Sequence, residues 1–506
     1  MKEHPTLQAF QALRAKSLDE QRRTAAKKRH ARGYRSAREN LDDLCDSGSF
    51  QEYGQLAVAA QRERRDIEEL REHTAADGVI TGTALINADR FDAAACRTAV
   101  IVNDYSVLAG SQGFFHHQKI DRIVELASEH HLPSVMYTEG GGGRPGDVDV
   151  KTQIAGLNIN TFASWAALGE RAPRIAVNNG FCFAGNAALF GAADVRIATR
   201  NSWIGMAGPA MIEGGGLGQF KPTNIGPIET QLHNGTVHLL AEDEAHATAL
   251  ARHVLSYFQG RLPGFQFAKQ AALRTIMPED RRFSYKVRDV LEIIFDNDSL
   301  LELRYSFGKP MLTALARIGG KPVGVLANDT RQLGGAIDAE AADKACDFLQ
   351  LCSGFDLPVV SFCDTPGFMV GPDSESQAAV RRMSRAFAVG ATLRTPLVCI
   401  FLRKGYGLGA MAMAGGSFKV PVYSASWPTG EFGGMGLEGA VQLGFRKELE
   451  ACASDSERDE LFNTLVEQAY ERGKATEAAS FLEIDAVIDP ADTRDVILRA
   501  LLAAQR

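Results

Sequence analysis

An internal repeat constrains this chain more than any other feature of its 506 residues. The segment KIDRIVELASEHHLP, Lys119 to Pro133, lies over KACDFLQLCSGFDLP, Lys344 to Pro358, 225 residues on. Lys119 falls over Lys344, Leu126 over Leu351, and the closing Leu-Pro pairs coincide. The same offset sets Asp104, ending TAVIVND, over Asp329, ending PVGVLAND, and Glu139 over Asp364. Farther on, Gly185 falls over Gly409, Ser202-Trp203 over Ser426-Trp427 and Met211 over Met435, each 224 apart. So long a period is a domain duplication, not a solenoid, and the length agrees with two cores rather than one.

Within each half the order is a β-rich run, an amphipathic helix, a buried strand and a glycine-rich turn into a helix of small residues, which is an α/β layer order. Ile120, Ile123, Val124, Leu126 and Ala127 share one helix face, as do Ala345, Phe348, Leu349, Leu351 and Cys352. Strands are predicted over Ser134 to Tyr137 and Val359 to Phe362, each ending at an acidic residue and a loop, the end of a strand where open α/β sheets place ligands. The domains are read as 1–265, opened by a helical segment 1–50, and 280–506, joined through the polar stretch from Gly260 to Ser284.

The eight cysteines lie far apart with no zinc-type spacing and read as buried reduced thiols, giving the expectation of a cytoplasmic protein. Nowhere do 18 uncharged apolar residues run together, so no membrane span is expected. A net charge of -7 argues against nucleic acid as a partner. The basic stretch Arg22 to Arg38 reads as a solvated amphipathic helix with Arg35 and Glu39 four apart, an acidic partner or a nucleotide phosphate being the alternatives. His116-His117 and His130-His131 are adjacent pairs, poorly spaced for a shared metal on a helix; they read as solvated or capping residues, and no metal site is expected.

Three glycine-rich strings stand out: TEGGGGRPGD from Thr138, GFCFAGNAALFGAAD from Gly180 and RKGYGLGAMAMAGG from Arg403. None is a phosphate loop or a dinucleotide fingerprint. The last two occupy equivalent places in the repeat. The first-turn N–H groups of a helix have no partner within it and aim partial positive charge outward, so each turn could stabilise a developing oxyanion, where one donor is worth about 3–4 kcal/mol. Close packing of helix on sheet is the competing use of these glycines. No nucleophile elbow with a triad and no HExxH zinc motif occurs. Glu139, Asp364 and Glu375 could be acids or bases, or could hold loops.

Taken together, SARENLDDLCDSGSFQE from Ser36, NDYSVLAGSQGFFHHQKI from Asn103, EGGGGR from Glu139, GFCFAGNAALFGAAD from Gly180, GGKPVGVLAND from Gly319, DTPGFMVGPDSE from Asp364 and SWPTGEFGGMGLEGA from Ser426 resemble the carboxyltransferase β subunits of propionyl-CoA, methylcrotonyl-CoA and related biotin-dependent acyl-CoA carboxylases. The resemblance implies two tandem crotonase-like domains and a site between the N-domain of one subunit and the C-domain of another, in a homo-oligomer, commonly a trimer of dimers. It implies an acyl-CoA substrate whose enolate takes the carboxyl group released from carboxybiotin, with one oxyanion on the thioester and one on the ureido group. Residue by residue, it sets the thioester hole at Ala184, Gly185 and Asn186 and the ureido hole at Gly407, Leu408 and Gly409. Gly141, Gly142, Gly143 and Arg144 would shape the acyl-CoA pocket, and Asp364, Gly367, Phe368 and Glu375 the biotin side. Since Ala410-Met411-Ala412-Met413 lacks the lysine of a biotinylation site, the resemblance implies biotin on a separate biotin carboxylase or carrier subunit. Two departures touch the acyl group: Asn186 stands where relatives carry a second glycine, and Gln231 near an expected histidine. An acyl-CoA decarboxylase of the same fold, or a non-catalytic acyl-CoA-binding paralogue, are the other readings.

Overall fold

The repeat reappears as two sheets built to one plan. The computed structural model describes residues 3–151 and 154–504, and the chain divides into two compact units, Met1–Gly260 and Arg261–Arg506. The first holds β1 (Gln51–Tyr53), β2 (Val79–Leu85), β3 (Arg97–Asn103), β4 (Ser134–Tyr137), β5 (Arg174–Asn178), β6 (Phe181–Phe183), β7 (Val195–Thr199), β8 (Trp203–Gly205) and β9 (Leu239–Ala241). The second holds β10 (Leu301–Leu303), β11 (Met311–Ile318), β12 (Lys321–Asn328), β13 (Val359–Thr365), β14 (Leu397–Tyr406), β15 (Tyr423–Ser426), β16 (Glu431–Gly433) and β17 (Ala486–Val487). The sheet orders correspond strand for strand: β1-β2-β3-β4-β5-β7-β9 and β10-β11-β12-β13-β14-β15-β17. In each, the first three strands pair antiparallel and the rest parallel. A short side pairing, β6 with β8 and the end of β14 with β16, completes both.

The helix Phe114–His130 buries Ile120, Ile123, Val124 and Ala127 in the first core, at the spacing predicted. Each of the isoleucine and valine side chains contributes roughly 1.5–3 kcal/mol of burial. His131 ends it in the left-handed region, φ 53°. Its counterpart Ala339–Gly354 starts at Asp338, whose side chain accepts from the Ala341 N–H, and buries Ala345, Phe348, Leu349 and Cys352. The repeated lysines run inward: Lys119 Nζ donates to the carbonyls of Ala76 and Val79, and Lys344 Nζ to that of Phe307 at 2.9 Å.

Strand pairing corrects the register beyond this point. Val135 pairs with Ile175 and Val360 with Val398, so Ile175 and Val398 correspond at 223, not 224. Gly140 bridges Cys182 as Thr365 pairs with Gly405, again 223. Ala184 therefore lies over Gly407, Gly185 over Leu408 and Asn186 over Gly409. After the turn helices the second half carries five more residues: Val195 matches Tyr423, and Trp203 matches Glu431, at 228. The coincidence of Trp203 with Trp427 is thus accidental. Trp203 is half-buried on β8, whereas Trp427 is fully buried and donates to Thr493 Oγ1 at 2.9 Å.

Two further expectations change. The basic stretch is not one solvated helix: it breaks between Arg23–His30 and Ala37–Leu44, where Ser36 and Glu39 form a capping box. Four of its six arginines are consumed by carboxylates outside the stretch, Arg22 by Asp104 at 2.5 Å, Arg29 by Glu139, Arg38 by Glu52, and Arg35 by Asp43 rather than Glu39. His116 and His117 are buried, not solvated. Their Nδ1 atoms meet the Asp77 carbonyl at 3.1 Å and Thr161 Oγ1 at 3.0 Å, and burial pushes His117 down to about 4. His130 and His131 are exposed as expected. Residues 261–284 pack within the second unit, with Leu273 in its core and Phe267 bridging Asp296. Among the described residues, no helix is long and apolar enough to cross a membrane.

Candidate functional site

In the first half, β5 ends at Asn178 and the chain passes through β6 into the helix Gly185–Gly191. Ala184 heads this helix with φ 50° and ψ −119° and supplies no side-chain cap. Its N–H is already donated to the Gly205 carbonyl at 3.0 Å. The turn's open donors are therefore the first-turn amides of Gly185 and Asn186, two of the three residues expected there. The second half repeats the construction in the uncapped helix Gly407–Met413, with Gly407 at φ 56°. Leu408 is 60% exposed, so its side chain stands at the surface of its unit. Gly409 has the packing role: a β-carbon there would come within 2.7 Å of the Gly367 backbone. A cavity of about 550 Å³ lies beside this turn, lined in part by Gly405, Gly407, Met411, Phe418, Phe432 and Gly434.

The string after Glu139 is laid against the first turn. Gly140 N–H donates to the Phe181 carbonyl at 2.7 Å, and Phe183 N–H returns to Gly140 at 2.9 Å. Gly141 N–H donates to the Ala109 carbonyl at 3.0 Å, and Gln112 N–H to that of Gly142 at 2.7 Å. Asn186 is fully buried; its Oδ1 accepts from Gly142 N–H at 3.0 Å and its Nδ2 donates to the Gly110 carbonyl at 3.4 Å. Gly143 bridges Gln112. Arg144, expected in the acyl-CoA pocket, is instead held at 2.6 Å by Asp77 and at 3.4 Å by Asp147, its side chain 5% exposed. Its charge is spent on fixing the loop, and burial pushes the Asp77 carboxyl up even so. Glu139 accepts hydrogen bonds from both terminal guanidinium nitrogens of Arg29, at 2.9 and 2.7 Å, while burial raises its carboxyl.

Asp364, the counterpart of Glu139, is fully buried. Tyr285 Oη donates to it at 2.9 Å and the Lys404 N–H at 3.2 Å, with Arg403 and Lys404 as ion-pair partners at 3.2 and 3.3 Å. So enclosed a carboxylate organises the strand end. Gly367, φ 123°, and Phe368 carry the loop across Ile337. Glu375 is exposed on the short helix Pro372–Ser376, apart from this buried network. Gln231 Nε2 donates to the Ile204 carbonyl at 2.6 Å, a structural bond beneath β8. Sequence reasoning passed over two residues: Arg29, whose partner lies 110 positions away, and Gln112, although the repeat sets it over an apolar Ile337.

Comparison with known proteins completes the picture. The family model described as the carboxyl transferase domain matches residues 28–506. The chain is 30% identical, over 489 residues, to the methylmalonyl-CoA carboxyltransferase 12S subunit of Propionibacterium freudenreichii subsp. shermanii, covering 94% of this chain and 89% of that one. It is similar to a solved single-chain, multi-domain long-chain acyl-CoA carboxylase, with 54% identity and a TM-score of 0.93. That match covers 99% of this chain but 49% of the other, so the chain spans about half its length. The transcarboxylase 12S hexamer solved with methylmalonyl-CoA and methylmalonic acid bound matches at a TM-score of 0.84 and 27% identity, over 99% of this chain and 95% of that one. The two halves are thus the crotonase-like domains expected from the sequence. A duplicated fold with paired strand-to-helix turns and a match running from residue 28 to the last residue have one reading: the chain belongs to the carboxyl transferase domain family, as an enzyme of the acyl-CoA carboxylase kind.

Proposed function

We propose that this chain transfers a carboxyl group between biotin, carried on a separate biotin carboxylase or carrier subunit, and an acyl-CoA. The observation that carries the reading is the pair of uncapped turns in equivalent places of the two halves, each beginning a seven-residue helix. On this reading Gly185 and Asn186 donate to the thioester oxygen as it gains charge, and Leu408 with its neighbours donates to the ureido oxygen. The cavity of about 550 Å³ beside Gly407, walled by Phe418 and Phe432, suits a compact ureido ring system. Carboxybiotin, when bound, supplies the carboxyl group. Gly141, Gly142 and Gly143 hold the first turn's outer wall, with Asn186 bonded between Gly142 and Gly110. Glu139 and Asp364 are committed to buried ion pairs, so the α-proton is left to the acceptor that arrives with biotin. Gly367 and Phe368 support the second turn from behind Gly409; Asp364 orders the strand that leads into it, and Glu375 would meet a partner from outside. The two turns would serve one reaction by facing each other across copies of the chain, in a trimer of dimers within the cytoplasm.

Leu408→Pro tests the reading. It removes one first-turn amide, its side chain is exposed, and proline is tolerated at the start of a helix. The variant is expected to keep the wild-type melting temperature and to lose roughly 100-fold in kcat, measured as carboxyl transfer from methylmalonyl-CoA to free biotin. Unchanged transfer would remove the second turn from the mechanism. Release of carbon dioxide at equal rate without biotin would favour the decarboxylase reading. The same transfer assay run with acyl-CoAs from acetyl to long-chain then fixes the preferred acyl group.

A further inference from the structure

The two turns share a backbone but not a lining, and Gln112 is the side chain that most separates them. Gln112 N–H donates to the Gly142 carbonyl and Arg144 N–H to Gln112; in the same way Ile337 N–H donates to Gly367 and Met369 N–H to Ile337. One backbone scaffold thus presents a carboxamide in the first half and a butyl group in the second. Gln112 is 3% exposed. Its carboxamide oxygen Oε1 occupies the place where a β-carbon on Gly185 would stand, with the Phe162 ring 3.1 Å from that position, and a half-turn of the planar amide exchanges Oε1 with Nε2. Gln112 Nε2 has no hydrogen-bond partner in the protein. A buried donor without an acceptor costs about 1–3 kcal/mol, and nothing in the fold requires it, since Ile337 serves the same backbone without it. Asn186, over Gly409, is the other carboxamide peculiar to this half, but both ends of its side chain are bonded.

We infer that Gln112 is a ligand-contacting residue: with its carboxamide turned end for end, so that Nε2 takes the place of Oε1 beside Gly185, it donates to the oxygen held by the Gly185 turn, making this hole a backbone and side-chain site where the other is backbone alone. The inference rests on the carboxyltransferase reading above. The ligand class it selects is a thioester carbonyl that gains negative charge, because an N–H2 adds most where charge develops. The second turn, with Ile337 behind it and Leu408 in the place of Gly185, offers no such group to its own ligand.

The test uses the full chain, with methylmalonyl-CoA as carboxyl donor and free biotin as acceptor. The carboxyl carbon leaves the α-carbon for the biotin ureido nitrogen, and the proton from that nitrogen goes to the α-carbon, giving propionyl-CoA. Gln112→Leu and Gln112→Glu both remove the donor at similar volume. Each is expected to lower kcat at least 10-fold while KM for methylmalonyl-CoA moves less than about threefold, with glutamate the poorer of the two. The melting temperature of Gln112→Leu should equal or exceed that of the wild type, because no protein bond is lost. A kcat near the wild-type value in Gln112→Leu overturns the inference. So does a fall in melting temperature in both variants that accounts for the lost activity, which would make Gln112 a packing residue. Wild-type protein that transfers no carboxyl group would overturn the carboxyltransferase reading itself, and the role of Gln112 with it.

Discussion

Ala184 holds a conformation, φ 50° and ψ −119°, in which a β-carbon is strained and glycine is not. The second half meets the same demand with Gly407. Such strain costs on the order of 1–3 kcal/mol and is found where a site fixes a turn. Ala184→Gly is therefore expected to raise the free energy of unfolding by about 1 kcal/mol, after allowance for the freer unfolded chain, read from the urea midpoint. The Gly205 carbonyl would still accept the residue-184 N–H, so transfer activity should be kept. A lower midpoint would mean that the methyl group, which faces Gly142, contributes more by packing than its backbone costs. The same scale separates groups that look catalytic from groups that are. Arg144 and Glu139 sit in the glycine-rich string as a charged pair of candidates, yet each is neutralised by a buried partner from elsewhere, Asp77 and Arg29.

The elements show what a sequence can and cannot fix. Helices Phe114–His130 and Ala339–Gly354 were legible from apolar residues three and four apart, and β4 and β13 from short apolar runs before an acidic residue. The register after them was not, because the strings through Gly185 and Gly409 are rich in glycine and alanine, whose side chains carry little to align. Strand pairing decides there, since a slip of one residue turns a strand's faces over. The lysines on the two long helices carry a consequence that repeats with the fold. Burial pushes Lys344 down to about 7 and Lys119 to about 8, against an ordinary 10.5. Between pH 7 and 10.5 the unfolded chain keeps a proton on residue 344 that the folded chain has released, so folded stability rises with pH across that window. Relative to Lys344→Met, the wild type should gain up to about 1.4 kcal/mol per pH unit from 7 towards 10, measured by denaturant unfolding at each pH. A difference that stays flat would mean Lys344 remains charged on the Phe307 carbonyl throughout.

At the scale of the molecule, duplication has produced two units that are alike in topology and unlike in lining. Each core cluster is drawn from one half only: Val79 to Val237 in the first, Leu273 to Leu501 in the second. Each sheet is complete within its half, and the stretch 261–284 supplies the second core with Leu273 while the first needs nothing beyond Gly260. Units of this size bury enough surface to fold alone, and a boundary at Gly260 would leave no strand unpaired. Residues 261–506 expressed separately are therefore expected to unfold in one cooperative urea transition with the circular dichroism of a mixed α/β protein. A fragment begun at residue 280 omits Leu273 and the bridge from Phe267 to Asp296. Losing a buried leucine and its packing costs roughly 2–5 kcal/mol, so its midpoint should fall clearly below that of the longer fragment. Equal midpoints would mean that residues 261–279 are a linker after all, and a broad, non-cooperative transition in both would mean that the second unit does not carry its own stability.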